Sequence, residues 1–228
     1  MRARVLVTTR AGGRSAPPYD ENNLATHVGD DPDAVAANRR RLAGQLGVDG
    51  VRFMAQVHGA DVAVVDAATR DDPADVDALV TQAPGLAVAV LVADCVPVAL
   101  VAGTAVAVVH AGRRGVVDGV VAAAVDAVRR LDSGPVVATV GPAICGRCYE
   151  VPAAMQDEVV AAVPAAKATT AAGTPGLDLP AAVRSQLADA GVEVPAQPGI
   201  CTREDPRFYS HRRDGVTGRF AMVAMLSP

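Results

Sequence analysis

The chain has no long hydrophobic run, no excess of positive charge and few aromatic rings, and each shortage removes a class of function. Its longest uninterrupted apolar stretch, Leu86–Ala93, ends at Asp94, far short of the ~20 residues that a bilayer-spanning helix needs. A membrane protein is not expected. At the start of the chain, Met1 to Val7 places charge ahead of a few apolar residues. Thr8, Thr9 and Arg10 then cut that run too short for a secretory core, so a cytoplasmic location is expected. A net charge of −4 gives phosphate backbones no general attraction, and three Phe with three Tyr leave little for base stacking, so nucleic acid is not an expected partner. Cysteine is scarce too. Four cysteines in 228 residues, with no export signal, read as free thiols or metal ligands rather than as a disulfide framework.

What is present is apolar mass. Half of the residues are hydrophobic, enough for one sizeable core, and residues 1–228 are expected to form a single domain. Arg4 to Thr9 is a short β-branched run, followed by a long polar connection through Asn23. Asp31 before Pro32 supplies an N-cap and a proline at the first helical position, and Val35, Leu42 and Leu46 carry near-helical spacing, which predicts a helix over Pro32–Leu46. Short apolar runs at Val51–Val57, Val62–Val65, Leu79–Thr81 and Val136–Val140 predict strands. Leu86–Val92 and Thr104–Val109 are almost continuously apolar, as expected of strands buried on both faces. One helix is predicted over Val116–Leu131 with Gly115 as the breaker before it. Two more are predicted over Ala153–Val163 and Leu179–Ala190, separated by a loop at residues 165–176, and a last strand over Phe220–Leu226. With no strict βαβ rhythm and no repeat of 20 to 50 residues, the class is mixed α and β.

Three metal-capable residues stand where apolar strands give way to Gly or Pro: His58 in Gln56-Val57-His58-Gly59, Cys95 in Ala93-Asp94-Cys95-Val96-Pro97, and His110 in Val109-His110-Ala111-Gly112. Two imidazoles and a thiolate suit zinc, and three protein ligands leave the open position of a catalytic ion. Their separations match no short zinc signature, so spacing alone leaves simple core packing as the competing account. Cys145 and Cys148 form a C-x-x-C without a second such pair and are read as unpaired structural thiols. Arg113-Arg114, Arg212-Arg213 and Arg219, each in a Gly-flanked segment, are candidates for anion recognition, with solvated surface arginine as the alternative. His27 is a further polar candidate. Phosphate-loop, nucleophile-elbow, H-E-x-x-H and base-deaminase signatures are all missing.

In order along the chain, Asn23-Leu24 with His27-Val28-Gly29-Asp30-Asp31-Pro32, the three segments around His58, Cys95 and His110, Gly141-Pro142-Ala143-Ile144 with Tyr149-Glu150-Val151, and Phe208-Tyr209-Ser210-His211-Arg212-Arg213-Asp214 through Gly218-Arg219 resemble the YfiH-type laccase-domain family over nearly the whole length. The resemblance implies an α+β fold with central mixed β-sheets, sandwich-like and flanked by helices. It implies His58, Cys95 and His110 as ligands of zinc, with copper as the alternative ion. It also implies phosphorolysis of purine nucleosides (adenosine, inosine, methylthioadenosine) with adenosine deamination as a companion, in a monomer or homodimer. On that basis Asn23, Gln56, Arg114 and Arg213 are assigned to substrate and phosphate, and Asp94 and His27 to proton transfer. Two positions depart from the family pattern: Arg113 stands where tryptophan is usual and Val92 where threonine is common. Three alternatives stay open. One is an amide hydrolase on a peptidoglycan precursor, with Cys95 as nucleophile. Another is a copper-dependent phenol oxidase, for which four histidines in all are too few for a multicopper set. The third is a non-enzymatic metal-binding protein.

Overall fold

Strands that are apolar at every position need cover on both faces, and the computed structural model, which describes residues 2–48 and 50–227, supplies it. One sheet has the order β1 (Ala3–Val7), β11 (Phe220–Leu226), β5 (Ala87–Val92) and β2 (Val51–Arg52). The other has the order β3 (Val62–Val64), β4 (Ala78–Thr81), β7 (Val106–Ala111), β6 (Val96–Val101) and β8 (Val137–Val140). All pairings are antiparallel except β2 with β5 and β3 with β4.

The two sheets stack face to face. Val88, Val90 and Val92 of β5 and Phe220, Met222 and Leu226 of β11 pack on Leu79, Ala99, Val106 and Val108 of the second sheet. The alternate residues Ala87, Ala89, Leu91, Ala221 and Val223 turn outward onto Leu42 and Leu46 of helix α1 (Pro32–Leu46). On the far side, Val98, Leu100, Ala107 and Val109 meet α3 (Val120–Leu131), α4 (Ala153–Ala162) and α5 (Leu179–Asp189). The result is a helix/sheet/sheet/helix sandwich, the mixed α and β class expected, and each strand's period of two divides its side chains between the layers.

Helix α1 has the predicted bounds, with the Asp31 carboxylate accepting from the Asp33 N–H at 2.9 Å and Gly47 closing it. The predicted helix over Val116–Leu131 is instead two, α2 (Arg113–Asp118) and α3, broken at Gly119 with φ 88°, and Gly115 lies inside the first of them. Only Val51–Arg52 of the predicted Val51–Val57 strand pairs. At Phe53 the backbone N–H is captured by the Asp72 carboxylate at 3.0 Å, and the chain turns off. The loop predicted at residues 165–176 contains a short hairpin, β9 (Lys167–Thr169) and β10 (Pro175–Leu177). β6 was not expected at all, because its Pro97 reads as a strand terminator. A four-residue helix, α6 (His211–Asp214), completes the elements. No helix among the described residues is long and apolar enough to cross a membrane.

Candidate metal centre

The inter-sheet layer ends in polar side chains. Val106 and Val108 of β7 face the other sheet, and by the same alternation His110 does so two residues on, beyond the last of these valines. β6 runs beside it with Pro97 opposite His110, so Cys95, on the same face just before β6, falls next to the imidazole. His58 arrives from the loop before β3 on a backbone with φ 61°, and Asp94, preceding Cys95, has φ 96°. Both are left-handed conformations that a side chain holds only when its surroundings fix it. The His58 Nε2 and Cys95 Sγ atoms are 3.8 Å apart, the two imidazole rings meet edge to face at 4.6 Å, and one ligand atom from each of the three residues lies within 4.8 Å of the others. Gly112 makes this approach possible. A Cβ there would stand 2.6 Å from His58 Cδ2 and 3.4 Å from Cys95 Sγ.

A residue that sequence reasoning missed organises the cluster. Asp77, fully buried at the start of β4, accepts His110 Nδ1–H at 2.7 Å. It also accepts the backbone N–H groups of Val57 at 3.2 Å, His58 at 3.0 Å and Gly59 at 2.7 Å. One carboxylate therefore shapes the His58 turn and fixes the His110 tautomer, leaving Nε2 for a metal, the carboxylate–histidine arrangement that supports metal ligands. Burial alone would lift the Asp77 carboxyl, but the His110 and backbone donors outweigh it and hold it below the ordinary range. Burial opposes the Cys95 thiolate too, and the neighbouring His110 and His58 overcome this to bring the thiol down to about 6. Against the same burial, Cys95 and Asp77 favour the His110 imidazolium. A ready thiolate, two imidazoles and a buried carboxylate behind one of them fit a borderline-soft divalent ion.

Two hollows flank the cluster. The larger, about 420 Å³, is lined by His58, Cys95, Arg113, Arg114, Tyr149 and Arg212, among others. The smaller, about 300 Å³, is lined by His27, Gln56, His58, Cys95, His211 and Arg219, among others. Arg212 lies over the Tyr149 ring, 5.1 Å from its centroid. Of the residues singled out from sequence, Asp94, Arg114, His27 and Gln56 reach these hollows, but two of them are already engaged. Gln56 clasps the Leu91 backbone with both ends of its amide, at 2.8 and 2.9 Å. Asp94 accepts the Thr202 hydroxyl at 2.6 Å and the Arg212 N–H at 2.7 Å. Asn23 and Arg213 reach neither hollow. Asn23 is buried, bonded to Ala25, Asp30 and Arg219. Arg213 is spent on Asp214 and on the carbonyls of Thr202 and Phe208, tying the loop before α6 together.

Fold and donor set together define a class: a mixed α/β protein with an open His₂Cys cluster at the rim of a two-sheet sandwich. The profile of the family described as multi-copper polyphenol oxidoreductase laccase matches residues 4–227. A purine nucleoside phosphorylase of Streptomyces coelicolor is 57% identical over 94% of this chain and 91% of its own length. One of Mycobacterium tuberculosis is 52% identical over 99% and 93%. Among solved structures, a Neisseria meningitidis protein superposes with a TM-score of 0.89 at 36% identity, covering 99% of this chain and 95% of that one. YlmD of Geobacillus stearothermophilus gives 0.87 at 34%, covering 99% and 92%. The chain belongs to this laccase-like, YfiH-type family.

Proposed function

We propose that this protein is a zinc-dependent purine nucleoside phosphorylase acting on adenosine, inosine or methylthioadenosine, with adenosine deamination as a companion activity. The observation that carries this reading is a three-donor cluster opening onto a hollow of nucleoside size rimmed by Arg113, Arg114 and Arg212. The names of the relatives point the same way.

His58, Cys95 and His110 would hold the ion, with Asp77 behind His110. Bound there, zinc supplies a Lewis acid with an open coordination position. In phosphorolysis a phosphate oxygen forms a bond to the ribose C1′, the bond from C1′ to the purine nitrogen breaks with its electron pair leaving on the base, and the base takes up a proton. Arg114 and Arg212, which line this hollow, would hold the phosphate, since guanidinium forks match its oxygens. Tyr149, packed under Arg212, offers the apolar wall that a ribose or purine needs. Proton transfer falls to His27 rather than Asp94, whose two oxygens are already occupied. Partial burial, then Arg219 and Arg39, lower the His27 pKa and keep a neutral imidazole facing the smaller hollow.

Chromatography of adenosine incubated with phosphate should give adenine, ribose 1-phosphate and inosine with the wild type and none of them with Cys95→Ala. Unchanged products from the variant would remove the cluster from the reaction. A second function fits one observation: Cys95, His110 and Asp77 stand in the order thiol, imidazole, carboxylate, the arrangement of a cysteine hydrolase acting on an amide. Metal-free protein would then form an acyl adduct on Cys95 that intact mass spectrometry detects. Under the phosphorylase reading metal-free protein is inert.

A further inference from the structure

We propose that Cys145, Cys148, Cys201 and Glu204 hold a second, structural zinc ion that braces the wall of the substrate hollow. The proposal stands apart from the function assigned above, because none of these residues belongs to the His58, Cys95, His110 cluster. Far apart in sequence, Cys145-Gly146-Arg147-Cys148 and Cys201-Thr202-Arg203-Glu204 have the same form, a cysteine followed three residues later by a second donor. Each is a tight turn, with the Cys148 N–H donating to the Cys145 carbonyl at 2.9 Å and the Glu204 N–H to the Cys201 carbonyl at 3.1 Å. A parallel bridge between Ala143 and Cys201 sets the turns opposite one another, through Ala143 N–H to Ile200 O and Thr202 N–H to Ala143 O, both at 3.1 Å. Paired turns with donors three apart are how small zinc sites are built.

Distances agree with that use. One ligand atom from each of the four residues lies within 4.8 Å of every other, and Cys148 Sγ stands 3.4 Å from Glu204 Oε1. Tetrahedral zinc, with bonds of ~2.3 Å to sulfur and ~2.0–2.2 Å to oxygen, needs donor separations of about 3.5–3.8 Å, so small side-chain rotations close the set. All of the cysteines are free thiols. The Cys145 N–H already points at Cys201 Sγ at 3.4 Å, the kind of bond that shields a coordinated sulfur. Four protein donors close the coordination sphere, which marks a structural rather than a catalytic ion.

Charge supports the ion as well. Zinc entering the set displaces the three thiol protons to solvent and leaves three thiolates and a carboxylate around a divalent ion, a net charge of minus two. Arg147 and Arg203 line the hollow beside Cys148 and bring positive charge near it. The two turns also carry the neighbours of the substrate hollow: Tyr149 follows Cys148, and Thr202, which follows Cys201, donates its hydroxyl to Asp94.

The test is zinc content by inductively coupled plasma mass spectrometry, combined with native mass spectrometry of the full chain. Wild type should carry about two zinc ions per chain, and the double variant His58→Ala/Cys95→Ala about one, one ion for each four-donor or three-donor set. Cys148→Ser/Cys201→Ser should lose one ion and keep the other. In His58→Ala/Cys95→Ala loaded with cobalt, the thiolate-to-metal charge-transfer band should persist, since three sulfurs remain. The proposal is overturned if the wild type saturates at one zinc that disappears in His58→Ala/Cys95→Ala. An intact mass two hydrogens lighter with no second zinc would overturn it too, since the cysteines would then form a disulfide.

Discussion

Asp77→Asn is the sharpest perturbation of the centre, because it changes charge and one proton pattern while barely changing shape. Each carboxylate oxygen faces two donors: Oδ1 takes the His58 N–H at 3.0 Å and His110 Nδ1 at 2.7 Å, and Oδ2 takes the Val57 N–H at 3.2 Å and the Gly59 N–H at 2.7 Å. An asparagine has one acceptor oxygen: with its NH₂ turned to Val57 and Gly59 two buried backbone donors are unmet, and with it turned the other way the His58 N–H is unmet and His110 must carry its proton on Nε2, the atom a metal needs. Leaving a buried donor without an acceptor costs ~1–3 kcal/mol. For a chain of this length that corresponds to a melting temperature lower by ~2 °C or more. With His110 no longer held, metal affinity should fall ~10–100-fold. Thermal unfolding of the metal-free protein and zinc competition against a chromophoric chelator read the two effects separately. If Asp77→Asn melts with the wild type and binds zinc within twofold of it, the carboxylate does not organise the site and the reasoning fails.

Three further outcomes are expected. Gly112→Ala places a Cβ 2.6 Å from His58 Cδ2, so zinc affinity should drop at least ~10-fold as His58 is displaced; unchanged affinity would show that the loop yields freely. Arg114→Ala, which removes a charged donor worth ~1.5–3 kcal/mol, should raise the KM for phosphate ~10–100-fold and leave the KM for adenosine near its wild-type value; an equal rise in both would place Arg114 outside the phosphate site. The Asp77 carboxyl is held below its ordinary value near 3.8 in the folded protein. Its stabilisation is therefore present above that pH and lost as pH falls through the lower folded value. Acid unfolding followed by circular dichroism should show a shallower acid limb for Asp77→Asn than for the wild type, and identical limbs would contradict the assignment.

How far the sequence was readable depended on how local each signal was. Helix α1 was predicted to the residue because Asp31, Pro32 and the apolar spacing all act within a few positions. β5 and β11 were visible because strands covered on both faces are apolar throughout. Gly119 is hidden in the sequence because the surrounding valines and alanines continue a helical pattern through it, and only its positive φ reveals the break. Pro97 concealed β6, since its missing N–H argues against an interior strand; there it sits second in the strand, opposite His110. At the site, strand ends picked out His58, Cys95 and His110 individually, while their convergence depends on the β6–β7 register and on a loop from another part of the chain. Asp77 left one faint trace, a carboxylate immediately before a fully buried strand, and its four donors come from distant segments. A Gly-flanked arginine that binds phosphate and one that ties a loop, as Arg213 does through the Thr202 and Phe208 carbonyls, look alike in sequence.

The most direct test is the release of adenine from adenosine by zinc-loaded wild-type protein, followed with and without inorganic phosphate. Ribose 1-phosphate in an amount equal to the free base released, adenine together with any hypoxanthine formed by way of inosine, appearing only when phosphate is present and lost on chelation, is the result the account predicts. Zinc-loaded protein that leaves adenosine untouched in phosphate, or that releases adenine equally well without it, would contradict the assignment of this cluster to nucleoside phosphorolysis.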